Sequence, residues 1–153
     1  MKRIPTAALL ALALIVPAAT ATSSHFAVPE KPCFAAGHTG YRITDDAAAD
    51  LVVRVDNKAA QPDLRLQLTD DAAAADFVLA DGDTTDACAD VSSIRSIRID
   101  AAADHPDLTV ALSRRPAAHK IYVQSSGFTA KDAAALFAVL WHGGSGREFA
   151  RRD

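Results

Sequence analysis

Between Asp50 and Asp76 the chain runs through two consecutive thirteen-residue phrases. Asp50-Leu-Val-Val-Arg-Val-Asp-Asn-Lys-Ala-Ala-Gln-Pro62 is followed by Asp63-Leu-Arg-Leu-Gln-Leu-Thr-Asp-Asp-Ala-Ala-Ala-Ala75, and a third copy opens at Asp76-Phe-Val-Leu79. In the first half of each phrase Leu51, Val53 and Val55, then Leu64, Leu66 and Leu68, alternate with Val52 and Arg54, then Arg65 and Gln67. Period two marks strands with one buried face. The second half, as in Thr69-Asp-Asp-Ala-Ala-Ala-Ala75, supplies an N-cap and alanines for a single helical turn, with Asp45, Asp46, Asp70 and Asp71 as its caps. Tyr41 to Ala49 reads as a shortened earlier copy. After Cys88 the pattern resumes at Ile97-Arg-Ile99, Leu108 to Leu112 and Lys120 to Gln124. Seven short strands are thus expected, near residues 41, 51, 64, 77, 97, 108 and 121. A parallel crossover ordinarily takes a dozen residues or more, and only about seven separate these strands, so an antiparallel meander is expected.

The last element has a different period. Thr129-Ala-Lys-Asp132 reads as a capping box, and Ala133, Leu136, Phe137, Leu140 and Trp141 form one apolar stripe at helical spacing. His142 falls in the last turn and Gly143 suits a left-handed C-cap. The expected architecture is a single α+β domain over 41–142: a mostly antiparallel sheet of about six or seven short strands, built from the thirteen-residue repeat and packed by one face on a C-terminal amphipathic helix. Residues 22–40 read as an N-terminal arm and 143–153 as a flexible basic tail.

The N-terminus changes what these elements belong to. Lys2 and Arg3, the apolar run Ala7 to Val16 and Ala19-Thr-Ala21 read as a secretory signal peptide over 1–21, cut after Ala21. Its apolar core is too short for a permanent anchor. A periplasmic or secreted location without stable membrane insertion is expected. Removing Lys2 and Arg3 leaves 14 basic residues against 19 acidic, a formal net charge of −5, which argues against nucleic-acid partners. Cys33 and Cys88, the only cysteines, are expected to form a disulfide that fastens the repeat block between them.

The phrases Ala49-Asp-Leu-Val-Val53 and Ala75-Asp-Phe-Val-Leu79 resemble those of short bacterial exported proteins built from tandem A-D-L-x-V-x repeats, over roughly residues 41–81. That group has no assigned activity, so the resemblance implies an architecture only.

Few residues suggest chemistry. Asp81, Asp83, Asp86 and Asp90 are spaced closely enough for calcium, yet Gly82 and Ser92 break the EF-hand pattern, and a solvated loop is the simpler reading. His25, His38, His105, His119 and His142 lack zinc spacing, and Ser125-Ser-Gly127 lacks the nucleophile-elbow form. No catalytic residue, metal ligand or cofactor is assigned. If the apolar strand positions face the helix, the opposite face carries Arg54, Arg65, Gln67, Arg98, Thr109, Tyr122 and Gln124, of which Arg54, Arg65, Arg98 and Tyr122 are candidates for holding an anionic ligand or protein partner. The function expected is a non-enzymatic exported module that binds a small ligand or a protein. A small periplasmic hydrolase with a site assembled from loops is the alternative. On the solvated-loop reading, adding calcium or EDTA leaves the melting temperature unmoved; a calcium-dependent rise would make the aspartate loop a site.

Overall fold

Every residue from Asp132 to Leu140 is buried in a computed structural model, which describes residues 32–81 and 87–143. A helix apolar on all sides must be enclosed on all sides, and the run Ala133-Ala-Ala-Leu-Phe-Ala-Val-Leu-Trp141 contains no polar residue. The helix, α1 (Ala130–His142), lies in the hollow of a curled eight-stranded sheet made of β1 (Cys33–Ala36), β2 (Thr39–Ile43), β3 (Leu51–Val55), β4 (Leu64–Leu68), β5 (Phe77–Ala80), β6 (Ser93–Ile99), β7 (Leu108–Ser113) and β8 (His119–Gln124). The single stripe read from the sequence is therefore too narrow, since Ala134, Ala135, Ala138 and Val139 are buried as well. The capping box forms as expected. The Asp132 carboxylate accepts the backbone N–H of Thr129 at 2.7 Å, and Thr129 Oγ1 accepts the N–H of Asp132 at 3.2 Å. Gly143 has φ −73° rather than a left-handed conformation.

All seven expected strands are present, and residues 33–36, read as part of the arm, add an eighth. The sheet order is β1-β2-β6-β3-β7-β4-β8-β5. The strands of residues 39–80 thus leave one-strand gaps, which the strands of residues 93–124 fill. Only the β1–β2 hairpin is antiparallel, and the other six pairings are parallel. This corrects the expected antiparallel meander.

The reason lies in the register. Ile43 and Leu51 both stand opposite Ile97, Val55 and Leu64 both opposite Val110, and Leu68 and Phe77 both opposite Ile121. In the other series Ile99 and Leu108 both face Val53, while Leu112 and His119 both face Leu66. Each strand begins where its predecessor in the chain has ended. The connection does not travel back along the sheet and has only to step over one intervening strand, a distance of roughly 10 Å. Residues 56–63 cover that easily. Along the sheet from β3 to β5 each strand starts two residues beyond its neighbour, a shift of about 6–7 Å per strand. Stagger of this kind is what lets a sheet curl toward closure. The edge strands β1 and β5 accordingly come together at a seam, where the rings of Phe34 and Phe77 meet with centroids 5.7 Å apart.

Aspartates hold the register. Where a strand starts late, its neighbour has already exposed an N–H with no carbonyl to meet it. Asp63 fills the vacancy: its own N–H donates to the Thr109 carbonyl at 2.8 Å, and its Oδ2 accepts the Thr109 N–H at 2.7 Å. Asp76 grips Lys120 in the same two-point way. Asp50 accepts the Ser96 N–H and Asp107 that of Val52, both at 2.7 Å. Of the residues expected to cap helical turns, Asp46 and Asp71 accept the N–H groups of Ala48 and Ala73 at 2.9 Å, the latter opening a 3₁₀ turn over Ala72–Ala74. Asp70 instead pairs with Arg114 at 2.6 Å.

The disulfide joins Cys33 of β1 to Cys88, with the Cα atoms 5.9 Å apart, and ties the hairpin to the segment that leads into β6. Closing 55 residues of separation stabilises the fold by about 4 kcal/mol through the entropy of the unfolded chain. The bond lies across Gly40, where an added Cβ comes within 2.6 Å of Cys88 Sγ.

Val53, Leu66, Ile97, Val110, Ile121, Leu136 and Leu140 are wholly enclosed between the sheet and α1. Leu136→Ala should lower the unfolding free energy by roughly 2–5 kcal/mol in urea titrations; a loss below 1 kcal/mol would show that the helix is not the centre of the core.

Candidate functional site

The alternation that turns Val53, Val55 and Leu66 toward the helix turns their neighbours outward. The register confirms the side: Arg98 is opposite Val52, Arg54 opposite Thr109, Arg65 opposite Ala111, and Val78 opposite Tyr122. Arg54, Arg65, Arg98 and Tyr122 therefore all occupy the outer face of the sheet, on β3, β4, β6 and β8 respectively. They follow the stagger diagonally across it and do not converge.

Three of the four are committed locally. Arg54 donates from Nη1 to the carbonyl of Ala103 and from Nη2 to Thr109 Oγ1, each at 3.3 Å, so it ties the β6–β7 connection onto the sheet. Arg98 pairs with Asp100 at 3.1 Å. Tyr122 donates its hydroxyl to Gln124 Oε1 at 2.9 Å and lines a separate cavity beside Asp70 and Arg114. The connections and the arginine stems cover the outer face of the central strand, and Thr109 and Ala111, although outward, are each only 6 % exposed. The Nε atoms of Arg54 and Arg98 are enclosed there without a hydrogen-bond partner.

Arg65 differs. Its Nη2 donates to the Ala60 carbonyl at 3.1 Å, which steadies the guanidinium against the β3–β4 connection. It lines a cavity of about 500 Å³ with Asn57, Lys58, Ala111, Ser113, Arg115, Pro116 and Ala117. Three cations border this space and no carboxylate does. The adjacent Arg114 has Asp70 as its counterion, whereas the side chains of Lys58 and Arg115 have no acidic partner among the described residues. Two connections that flank β7 and β4 in the interleaved order, 56–63 and 114–118, bring these groups together. Sequence reasoning found Arg65 and missed Lys58 and Arg115, because alternation speaks only of strand positions. The available signal was Asn57-Lys58 and Ser113-Arg-Arg-Pro116, two basic turns in an otherwise aspartate-rich set of connections.

Other candidate chemistry is accounted for by structure. Asp83 and Asp86 lie outside the described residues. Asp81 accepts the Ser125 hydroxyl and the Ser126 N–H, so Ser125 also serves the strand end. His119 Nδ1 is 3.8 Å from Asp76 Oδ2, its ring is 4.2 Å from that of Trp141, and no hydroxyl or thiol is hydrogen-bonded to it among the described residues. No group of three or more His, Cys, Asp or Glu side chains among the described residues could hold a metal ion, and no described helix is long and apolar enough to cross a membrane.

Comparison of the chain with protein-family models, with curated proteins and with solved structures returned no match.

Two strand-end aspartates are also the groups whose acidity the fold alters. The Ser96 N–H and hydroxyl hold the Asp50 carboxyl below the ordinary aspartate range. The Ser125 hydroxyl and then the Ser126 N–H do the same for Asp81. A carboxyl with a lowered folded-state pKa stabilises the fold above its unfolded value, near pH 4, and this contribution fades as pH falls through the folded value. Melting temperature should therefore drop on acidification below about pH 4, and the double variant Asp50→Asn, Asp81→Asn, which removes the titrating carboxyls and keeps one acceptor oxygen at each position, should lose less over the same interval. An equally steep loss in the variant would place the acid sensitivity elsewhere.

Proposed function

We propose that the protein is a non-enzymatic exported module that binds a small anionic ligand in the basic cavity on the outer face of its sheet. The observation that carries this reading is the convergence of Lys58, Arg65 and Arg115 on one cavity without a carboxylate, in a chain of formal net charge −3. Two guanidinium groups and an ammonium suit bidentate and charge-assisted contacts to carboxylate, phosphate or sulfate. The disulfide and the leader-like first 21 residues support export.

The reading is tested by calorimetric titration of small anions at low and moderate salt. Binding should weaken as ionic strength rises. Arg65→Ser and Arg115→Ser should each reduce affinity about tenfold or more, as expected for loss of a hydrogen bond to a charged group. Arg115→Ser should leave the melting temperature nearly unchanged, and Arg54→Ser should lower the melting temperature while sparing affinity. Undiminished affinity in both cavity variants would sink the proposal.

A further inference from the structure

We propose that the seam between β1 and β5 is a docking groove for a ninth strand of this same chain, residues 24–28, Ser-His-Phe-Ala-Val. The two strands are the edges of the sheet, and no ladder joins them. The curl nevertheless sets them on either side of a groove of about 610 Å³, walled by Phe34 and Ala35 from β1 and by Val78, Leu79 and Ala80 from β5. Val78 is 47 % exposed, one of two large apolar side chains left so among the described residues. An open apolar edge is a template for another strand. The backbone of β5 is suited to receive one, since in a strand alternate residues turn N–H and C=O to opposite sides. The Asp76 N–H goes to the Lys120 carbonyl beside β8, so alternation sends Val78 toward β8 and turns Leu79 to the seam.

Position, direction and side-chain size select residues 24–28 as the occupant. Pro32 itself lines the groove and rests on Gly127, where an added Cβ would come within 2.6 Å of Pro32 Cγ, so the residues before it are delivered at the seam. Because β1 is antiparallel to β2 and every pairing from β2 across to β5 is parallel, β1 and β5 run in opposite senses. A strand joined to β1 by the turn Pro29-Glu-Lys-Pro32 runs antiparallel to β1 and parallel to β5, and a loop of that length is ordinary for a hairpin. On the inner side of the seam the rings of Phe34 and Phe77 already meet, which leaves room there for a small side chain only. Extended backbone puts Ala27 on one face and Phe26 and Val28 on the other. With Ala27 inward, Phe26 and Val28 cover Ala35, Val78 and Ala80, and the curled sheet closes.

Amide hydrogen exchange tests this. The Leu79 N–H should exchange about tenfold or more slowly in the native protein than in the double variant Phe26→Asp, Val28→Asp, while the amides of the central strand β7 keep one rate in both. A synthetic peptide of residues 22–31, added to the double variant, should restore the protection. Ala27→Phe, which drives a ring against Phe34, should lose it as well, and this variant carries the comparison if the double variant does not fold. Equal Leu79 rates in the native protein and the variants, whether fast or slow, would overturn the proposal. Protection that rises with protein concentration, together with a dimeric mass in solution, would overturn it in favour of a second copy at the seam.

Discussion

The structure depends on a two-residue slip between neighbouring strands. With it, the end of β3 and the start of β4 stand at one level on either side of Val110, and eight residues suffice to step across. Without it, each parallel connection would have to return the length of a strand, and none of these connections is long enough. Aspartate is the residue that makes the slip affordable. A late-starting strand leaves an N–H of its neighbour without a carbonyl, and a buried or half-buried orphan donor costs about 1–3 kcal/mol. Asp50, Asp63, Asp76 and Asp107 each supply the missing acceptor at 2.7 Å.

From the slip follows the shape of the core. A sheet sheared this far curls, and a curled sheet encloses what a flat one only covers. Nine successive buried residues in α1 are the counterpart of that enclosure. Alanine at 133, 134, 135 and 138 lets the strands approach the helix axis, while Phe137 fills the wider space toward Phe77, His119 and Trp141. In the curled, interleaved sheet the basic turns around Lys58 and Arg115 meet beside Arg65.

Strand positions were legible because Leu51, Val53 and Val55 alternate as a half-buried strand must, and the inner and outer assignments of Arg54, Arg65, Arg98 and Tyr122 follow from the same parity. Strand direction was not legible. Counting the residues between strands presumes a return journey, and only the register reveals that the chain makes none. The aspartates carried the missing information, but an Asp that grips a neighbouring strand and an Asp that caps a turn look alike in sequence; Asp71 does the second and Asp63 the first. All-round burial of the helix was legible in the unbroken apolar run from Ala133 to Trp141, which a search for one stripe passes over. The cavity was not, because Lys58 and Arg115 are 57 residues apart and belong to connections whose proximity is a product of the interleaving.

That interleaving bears on the order in which the protein is made. Strands β2, β3, β4 and β5 are produced first, and none of them has a neighbour among the others. Apart from the β1–β2 hairpin, no ladder among these eight strands can form before Ser93 has been synthesised, and the helix at the centre of the core comes last. Long-range pairings of this kind also fold slowly, since loop closure precedes their reward. A nascent chain wired in this way has almost nothing to settle into while it is still being translated. On the export reading proposed above, such a chain needs no unfolding before it is threaded through a translocation channel, and the Cys33–Cys88 bond closes only once the strands it ties are in place.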